Sequence, residues 1–211
     1  MEQKREICVV IGSAPVGQNP FDHIGRDGCF VICADGGYDT AVRFGFRPDL
    51  LIGDFDSVKT SLPSDVETIR LKVEKDDTDL MAAVKEGIKR GFERFVLTGV
   101  LGGERFDHSV ANLCVLQYLC SQGCRALIDQ DDCRVFLLRS GRLTLSGEKG
   151  CTVSVFPFGC ASCEVSYTGL QYPLTHALLS PEFRLGVSNC VSEDQAQIIV
   201  HSGSALIVVQ R

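Results

Sequence analysis

Short, nearly continuous runs of Val, Ile and Leu alternate with stretches of helical periodicity over the first two thirds of the chain. The apolar runs lie at residues 7–11, 30–34, 50–52, 68–73, 95–98 and 126–128. Runs of this kind are typical of strands that are buried on both faces of a parallel sheet. The helical stretches lie at residues 38–44, 79–90 and 109–121. This alternation predicts an α/β layered domain with right-handed crossover connections.

The pattern changes near Gly141, after which the chain reads as short strands separated by turn residues. Strands are expected at residues 143–145, 152–156, 164–167, 197–201 and 205–210. The tripeptide Ser202-Gly203-Ser204 predicts a hairpin turn between the last two strands. Because no long helix is expected here, the sequence predicts a small all-β domain, a sandwich or a barrel, over residues 141–211. The α/β domain would occupy residues 1–140.

Charge and hydropathy exclude some classes of protein. The 211 residues carry a net charge of −6, from 21 basic and 27 acidic side chains. Since Lys and Arg form no block, a large nucleic-acid footprint is not expected. The start of the chain is polar, and no run approaches the roughly 18 apolar residues that a membrane span needs. A cytoplasmic protein with no nucleic-acid or membrane partner is therefore expected.

Cysteine is abundant, with 11 residues, and most of them lie inside apolar runs. A free cysteine in such a run behaves as a small hydrophobic residue. Cys160-Ala161-Ser162-Cys163 is a lone CxxC motif, and no second pair stands at the spacing that a zinc site needs. We interpret it as a turn between two strands, with a metal or redox role as the alternative. His23, His176 and His201 are interpreted as structural.

The most specific motif is an apolar run that ends in carboxylates, Leu51-Ile52-Gly53-Asp54-Phe55-Asp56-Ser57. In extended backbone, residues i and i+2 point to the same face, so Asp54 and Asp56 are expected to lie together while Phe55 turns towards the core. Two adjacent carboxylates repel each other unless a cation neutralises them. Mg²⁺ takes oxygen ligands, often one or two carboxylates together with substrate phosphates. The motif predicts a magnesium site, with a solvated acidic turn as the alternative.

Three further polar motifs follow predicted strands. They are Ala34-Asp35-Gly36-Gly37, Lys75-Asp76-Asp77-Thr78-Asp79 and Gly102-Gly103-Glu104-Arg105-Phe106-Asp107-His108. Ligands bind outside the carboxyl ends of the strands in open α/β sheets, so these motifs are expected to converge on one site. Paired glycines at a helix start suit a phosphate or ribose, Asp79 can supply a third oxygen ligand, and Arg105 suits phosphate oxygens. Asp107 could serve a metal, a ribose or Arg105 itself.

Each of these motifs also has a structural interpretation. The paired glycines could simply form a tight turn with a capping Asp. The acids before the second helix could be partners of the helix dipole. His108 is interpreted as a helix-start residue rather than a base.

Taken in order, the motifs resemble the thiamine pyrophosphokinase family. The resemblance is carried by residues 34–37, 48–49, 53–57, 76–79 and 102–108 with Asn112, and in the last third by residues 169–174 and 186–189. It implies a Rossmann-like α/β domain with a mostly parallel sheet that binds ATP and metal. It also implies a C-terminal β-sandwich domain and a homodimer in which thiamine lies between the subunits.

The resemblance also implies a reaction and a set of residue roles. The pyrophosphoryl group of ATP would pass to the hydroxyl of thiamine by attack on the β-phosphorus, giving thiamine diphosphate and AMP with the help of Mg²⁺. The metal carboxylates fall on Asp54, Asp56 and Asp79, and the catalytic set adds Arg105 and Asp107. The nucleotide, cofactor and thiamine positions fall on Asp35, Gly36, Gly37, Asp54, Ser57, Thr78, Gly103, Arg105, Ser188 and Asn189. Tyr172 stands where some members carry Trp.

Two rival functions stay open on the sequence alone. A metal-dependent phosphatase or nucleotidase would also use paired aspartates with Mg²⁺, but it would release phosphate without thiamine. A non-catalytic nucleotide-sensing module would bind ATP without turnover. Conversion of ATP to AMP only in the presence of thiamine distinguishes the three functions.

Overall fold

The computed structural model describes residues 5–22, 24–72, 76–182 and 185–211. The chain forms two compact units, Met1–Asp131 and Asp132–Arg211. The predicted domain boundary at residues 140 and 141 falls inside a strand of the second unit. Val73 and Lys75, which end a predicted strand and begin the second acidic motif, lie outside the described residues, as does His23.

The first unit consists of six strands and three helices. The strands are β1 (Ile7–Ile11), β2 (Cys29–Ala34), β3 (Leu50–Gly53), β4 (Glu67–Arg70), β5 (Arg94–Thr98) and β6 (Arg125–Asp129). The helices are α1 (Gly37–Phe44), α2 (Asp79–Lys89) and α3 (Phe106–Ser121). The alternation of strands and helices predicted from the sequence is confirmed. Strand β4 is shorter than predicted, and α3 begins three residues earlier than predicted.

All six strands of this unit pair in parallel, in the order β6-β5-β1-β2-β3-β4. Strands β1, β2 and β3 are almost completely buried, which explains why their sequences are continuous apolar runs. The strand order reverses direction at the β1/β5 boundary. In sheets of this type, the crevice outside the carboxyl ends of the strands near such a reversal is the usual place for a ligand.

The second unit is built from antiparallel strands, and no helix occurs among its described residues. The strands are β7 (Cys133–Ser146), β8 (Thr152–Pro157), β9 (Cys163–Thr168), β10 (Leu174–Leu179), β11 (Asn189–Cys190) and β12 (Gln195–Gln210). Strand β12 pairs with β7 along its length, with β9 in its first half and with β8 in its second half. Strand β10 extends this arrangement beyond β9, and β11 extends it beyond β8.

One cluster of buried side chains forms the core of the second unit. Its members alternate along their strands with more exposed residues, as the two-residue period of a strand requires. They include Leu145, Val153, Val155, Cys163, Val165, Tyr167, Ile198, Val200, Ile207 and Val209. The chain therefore has a mixed α/β fold in which a helix-containing unit is followed by a unit of strands.

The predicted hairpin turn at Ser202-Gly203-Ser204 is wrong. Strand β12 continues through this tripeptide, and its register with β7 shifts between Val200 and Ser204. Gly203 has a φ of +79°, and a Cβ there would lie 2.5 Å from the carbonyl oxygen of Ser162. The glycine therefore marks a bend and a close backbone approach inside one long strand, which is a second common use of glycine in strands.

All eleven cysteines are free, and they include the two of the CxxC motif. Cys160 lies in a turn, where its Sγ accepts from the backbone N–H of Ser204, and Cys163 begins β9. Burial raises the pKa of the Cys163 thiol to about 11. None of the described helices is both long and apolar enough to cross a membrane.

Two of the histidines interact with each other on the second unit. The rings of His176 and His201 are stacked with their centroids 4.1 Å apart. The Ser166 hydroxyl lies 2.7 Å from Nε2 of His201, and Glu164 lies 2.7 Å from Nδ1 of His176. These contacts tie β9, β10 and β12 together on their outer face.

Candidate functional site

Three carboxylates meet at the carboxyl ends of β2 and β3. Ligand atoms of Asp35, Asp54 and Asp56 all lie within 4.8 Å of one another. Asp35 follows β2, and the other two follow β3, the neighbouring parallel strand. The structure therefore adds Asp35 to the predicted pair, because parallel pairing brings the ends of adjacent strands to the same edge of the sheet.

Asp54 and Asp56 do lie together, but the reason expected from the sequence is wrong. Strand β3 ends at Gly53, and Phe55 has a φ of +63°, so this segment is a turn and not an extended strand. The backbone N–H of Asp56 donates to Oδ1 of Asp54 at 3.3 Å. We call residues 54–57 the acidic turn. A bulky residue in the left-handed region is uncommon, so surrounding contacts have to hold this conformation.

The acidic turn concentrates negative charge at its exposed end. The negative charge of Asp54 is the main cause of an upward shift in the pKa of Asp56, to which desolvation and the charge of Asp35 add. A smaller contribution comes from Asp79 at the start of α2. Asp79 thus lies close enough for its charge to affect the pKa of Asp56.

Asp35 is the buried member of the cluster, with 8 % of its surface exposed. Its Oδ2 accepts a hydrogen bond from the Ser57 hydroxyl of the acidic turn. Its Oδ1 is buried and has no hydrogen-bond partner among the described residues. A buried carboxylate oxygen without a partner is costly, and a bound cation would satisfy it. The donor set consists of hard oxygen atoms, so it fits Mg²⁺ better than a soft transition metal.

The paired glycines after Asp35 are packed against β1. A Cβ on Gly37 would lie 2.1 Å from the carbonyl oxygen of Ile11, so only glycine allows α1 to begin this close to the strand. A Cβ on Gly36 would meet the side chain of Ser13 at 3.0 Å and the Ser57 hydroxyl at 3.4 Å. Close packing against β1 therefore explains why residue 37 is a glycine, while Gly36 lies beside the polar groups of the site.

The acidic motif before α2 divides into distinct roles. Thr78 is the N-cap of α2, and its side chain accepts from the backbone N–H of Met81 at 3.2 Å. Asp77, which precedes the helix, pairs with Lys85 of α2 at 2.6 Å. Thr78 therefore caps the helix and Asp77 forms an ion pair, while Asp79 is the member of the motif whose charge contributes to the raised pKa of Asp56.

The motif before α3 forms its own ion pair. Nη2 of Arg105 donates to Asp107 at 2.5 Å, and both side chains are exposed. Through this hydrogen bond, Arg105 lowers the pKa of Asp107, and Asp107 raises the pKa of Arg105. Gly103 has a φ of +79° and lies beside Pro15, in the loop that follows β1. The motif therefore lies next to the reversal of strand order.

The residues that hold this reversal together belong to none of the predicted motifs. Gln130, just after β6, donates to the carbonyl oxygen of Pro15 at 2.9 Å and accepts from the backbone N–H of Val100 at 3.4 Å. Asp131 accepts from the backbone N–H groups of Gly17 and Gln18. A single Gln-Asp pair has no sequence signature, so no local signal could have identified it.

On the second unit, the predicted pair Ser188 and Asn189 is divided between two structural settings. Asn189 is 5 % exposed, accepts from the backbone N–H groups of Tyr172 and Cys190, and donates to the carbonyl oxygen of Tyr172 at 2.8 Å. Ser188 has a φ of +57°, and its N–H donates to the hydroxyl of Ser154. Asn189 therefore positions the backbone of Tyr172, whose side chain is 62 % exposed.

A parallel sheet with carboxylates gathered at its carboxyl edge defines an α/β protein in which three oxygen donors lie close enough together to hold a cation. Models of known families cover most of the same chain. Residues 21–128 match thiamin pyrophosphokinase, catalytic domain, and residues 142–207 match thiamin pyrophosphokinase, vitamin B1 binding domain. The chain belongs to the thiamine pyrophosphokinase family, and it is accordingly an enzyme, a diphosphotransferase.

Individual relatives agree with this assignment. Thiamine pyrophosphokinase 3 of Oryza sativa subsp. japonica is 30 % identical over 207 residues, which cover 83 % of this chain and 76 % of the rice protein. Thiamine pyrophosphokinase of Bacillus subtilis is 26 % identical over 178 residues, covering 81 % of this chain and 78 % of that protein. A crystal structure of the Bacillus subtilis enzyme has the same fold, with a TM-score of 0.87, 20 % identity and coverage of 97 % of this chain and 99 % of that one.

Proposed function

We propose that the protein transfers the β,γ-pyrophosphoryl group of ATP to the hydroxyl of thiamine. The thiamine hydroxyl oxygen would form the new bond to the β-phosphorus, the bond between that phosphorus and the bridging oxygen of AMP would break, and the hydroxyl proton would be lost. The products are thiamine diphosphate and AMP. The observation that carries the proposal is the Asp35, Asp54 and Asp56 cluster in a chain of this family, together with the buried Oδ1 of Asp35, which has no hydrogen-bond partner among the described residues.

We propose that Asp54 and Asp56 hold Mg²⁺, with Asp79 as the third carboxylate predicted from the sequence and Asp35 as the buried flank of the site. When bound, Mg²⁺ would supply positive charge for the phosphate oxygens. The protein would hold the carboxylates in a fixed arrangement before the ion arrives. Ser57 contributes by donating to Asp35, and Thr78 contributes by capping α2 and so fixing where Asp79 stands.

The residues around this centre have proposed roles in binding and orienting ATP. Arg105 presents a guanidinium to the phosphates, and its ion pair with Asp107 holds the fork in one orientation. Gly36 and Gly103 leave room for the nucleotide close to the backbone. Most of the catalytic work is positioning and charge stabilisation, because phosphoryl transfer leaves little covalent chemistry to a protein.

On the second unit, the thiamine-binding role rests on the family model named for vitamin B1 binding. We propose that Ser188 and the Tyr172 segment held by Asn189 contact thiamine. We also propose that the active protein is a cytoplasmic homodimer with thiamine between the subunits and that the second unit is a β-sandwich. Light scattering during gel filtration measures the oligomeric state directly, and a monomer with full activity would refute the dimeric site.

The experiment that tests the function is an incubation with Mg²⁺ and ATP, with and without thiamine, followed by chromatography of the products. Thiamine-dependent AMP in equal amount to thiamine diphosphate is expected. Free phosphate without thiamine would indicate a phosphatase instead, and the absence of turnover would indicate a nucleotide sensor. Asp56→Asn is expected to abolish turnover in a folded protein, whereas a variant with nearly normal activity would refute the metal assignment.

A further inference from the structure

The conformation of the acidic turn depends on its central residue, Phe55. This residue stands between Asp54 and Asp56 in sequence and has a φ of +63°. Its ring packs in part against the apolar cluster of the first unit, which includes the buried residues of β1 and β2. The left-handed backbone of Phe55 sets the path of the chain between the two aspartates, so contacts that hold its ring help to hold both carboxylates in place.

A cation covers that ring. The guanidinium carbon of Arg70 lies 5.3 Å from the centroid of the Phe55 ring, within the range of a cation–π contact. Arg70 is the last residue of β4, and in the parallel ladder it stands opposite Gly53, the last residue of β3. The next residue, Leu71, donates its N–H to the carbonyl oxygen of Gly53 at 2.9 Å. The arginine therefore extends from backbone that is hydrogen-bonded to the residue just before the acidic turn.

The charge of Arg70 is not neutralised by an ion pair with any residue in the described part of the chain. Other arginines of the first unit do form such pairs, among them Arg26 with Asp49 and Arg90 with Glu67. Arg70 lies near a cluster of carboxylates, yet its described contact is with the aromatic ring that separates two of them. This placement is the one expected for a residue that holds the ring between the two carboxylates.

We infer that Arg70 is a positioning residue, which holds Phe55 in its left-handed conformation and thereby keeps Asp54 and Asp56 in the arrangement that binds the divalent cation. The inference rests on the metal role given to these carboxylates under the proposed function. Arg70 belongs to none of the motifs that carry the family resemblance, and it acts through Phe55 rather than on the substrate.

The test is a double-mutant cycle with Arg70→Met, Phe55→Leu and the double variant. Met keeps an unbranched side chain of similar length but removes the charge, and Leu removes the aromatic ring. Affinity for Mn²⁺ without nucleotide is measured by electron paramagnetic resonance, and kcat and KM for thiamine are measured separately. Arg70→Lys is the conservative variant, because an ammonium also interacts favourably with an aromatic face.

The expected result has three parts. Arg70→Met weakens Mn²⁺ binding about two- to fivefold, the size of an exposed cation–π contact, and lowers kcat while leaving KM for thiamine unchanged. Arg70→Lys restores most of the affinity. The double variant binds Mn²⁺ no more weakly than Phe55→Leu alone, because Arg70 has nothing left to hold once the ring is gone.

Arg125→Met is the matched control. Arg125 is an exposed arginine at the start of β6, the opposite end of the strands from the acidic turn, so the variant loses the same charge without touching Phe55. Its Mn²⁺ affinity and kcat are expected to equal those of the wild type.

Two results would overturn the inference. One is wild-type Mn²⁺ affinity in Arg70→Met, and the other is a double variant whose defects multiply, which would indicate that Arg70 acts independently of the ring. A wild-type protein that binds Mn²⁺ no better than Asp56→Asn would instead refute the proposed metal site. In that case the same cycle is evaluated from kcat/KM, where independent effects of the two substitutions would overturn the role of Arg70.

Discussion

Replacing Asn189 by Ala separates a ligand-binding role of this residue from a structural one. The side chain is buried and makes three hydrogen bonds, of 3.0 Å and 2.8 Å with the backbone of Tyr172 and of 2.9 Å with the backbone N–H of Cys190. Each such bond contributes about 1 kcal/mol, so the substitution is expected to cost about 3 kcal/mol of unfolding free energy. For a chain of this size, that corresponds to a fall in Tm of about 6–12 °C.

The assay is urea unfolding with calorimetry, combined with KM for thiamine at a temperature where both proteins are folded. Ser188→Ala is the matched neighbour, because its hydrogen bond to Ser154 uses the backbone N–H and survives the substitution. Asn189→Ala is expected to lower Tm and to raise KM, because the Tyr172 segment loses its anchor. Ser188→Ala is expected to leave Tm unchanged. An Asn189→Ala variant with wild-type stability and a raised KM would refute the reasoning and make Asn189 a direct ligand.

Three further predictions concern the first unit. The pKa of Asp56 is raised in the folded protein, mainly by the charge of Asp54. The repulsion between the two carboxylates therefore destabilises the folded protein above this pKa and is relieved as pH falls through it. Asp56→Asn is therefore expected to raise the Tm of the metal-free protein at pH 7, with a gain that disappears in calorimetry towards acid pH; a lower Tm at pH 7 would contradict this. Gly37→Ala places a Cβ 2.1 Å from the carbonyl oxygen of Ile11, a backbone atom that cannot rotate away, and is expected to cost about 3 kcal/mol in chemical denaturation. Asp49→Ala removes the carboxylate that binds Arg26, Arg5 and the backbone N–H of Val31. Chemical denaturation is expected to show a loss of about 2–4 kcal/mol of unfolding free energy. An unchanged denaturation midpoint would exclude an anchoring role for Asp49.

Local patterns predicted most of the elements because burial on both faces of a parallel sheet leaves a direct trace in composition. Strands β1, β2 and β3 are continuous apolar runs, and the structure buries nearly every residue in them. The start of α2 is also predictable from the sequence, because Thr78 caps the helix with its own side chain. Both features depend on residues close together in the chain.

The errors occurred where one sequence signal has two structural uses. Gly203 between two apolar runs is compatible with a hairpin turn or with a bend in one strand, and only the pairing partner, β7, distinguishes them. The acidic turn is a similar case. Alternation along a strand and a turn through a left-handed Phe55 both bring Asp54 and Asp56 together, so the right neighbours were expected for the wrong reason.

By itself, the sequence determined that the chain alternates strands and helices before a region of strands, that acids stand at strand ends, and that the ordered motifs match one family. These are properties of residue type and spacing along the chain. Only the tertiary structure decided that Asp35 joins Asp54 and Asp56, that the Asn189 side chain is hydrogen-bonded to the backbone of Tyr172, and that Arg70 covers the ring of Phe55. Each of these contacts joins residues from different strands or loops, and strand order and register, which no local pattern encodes, bring them together.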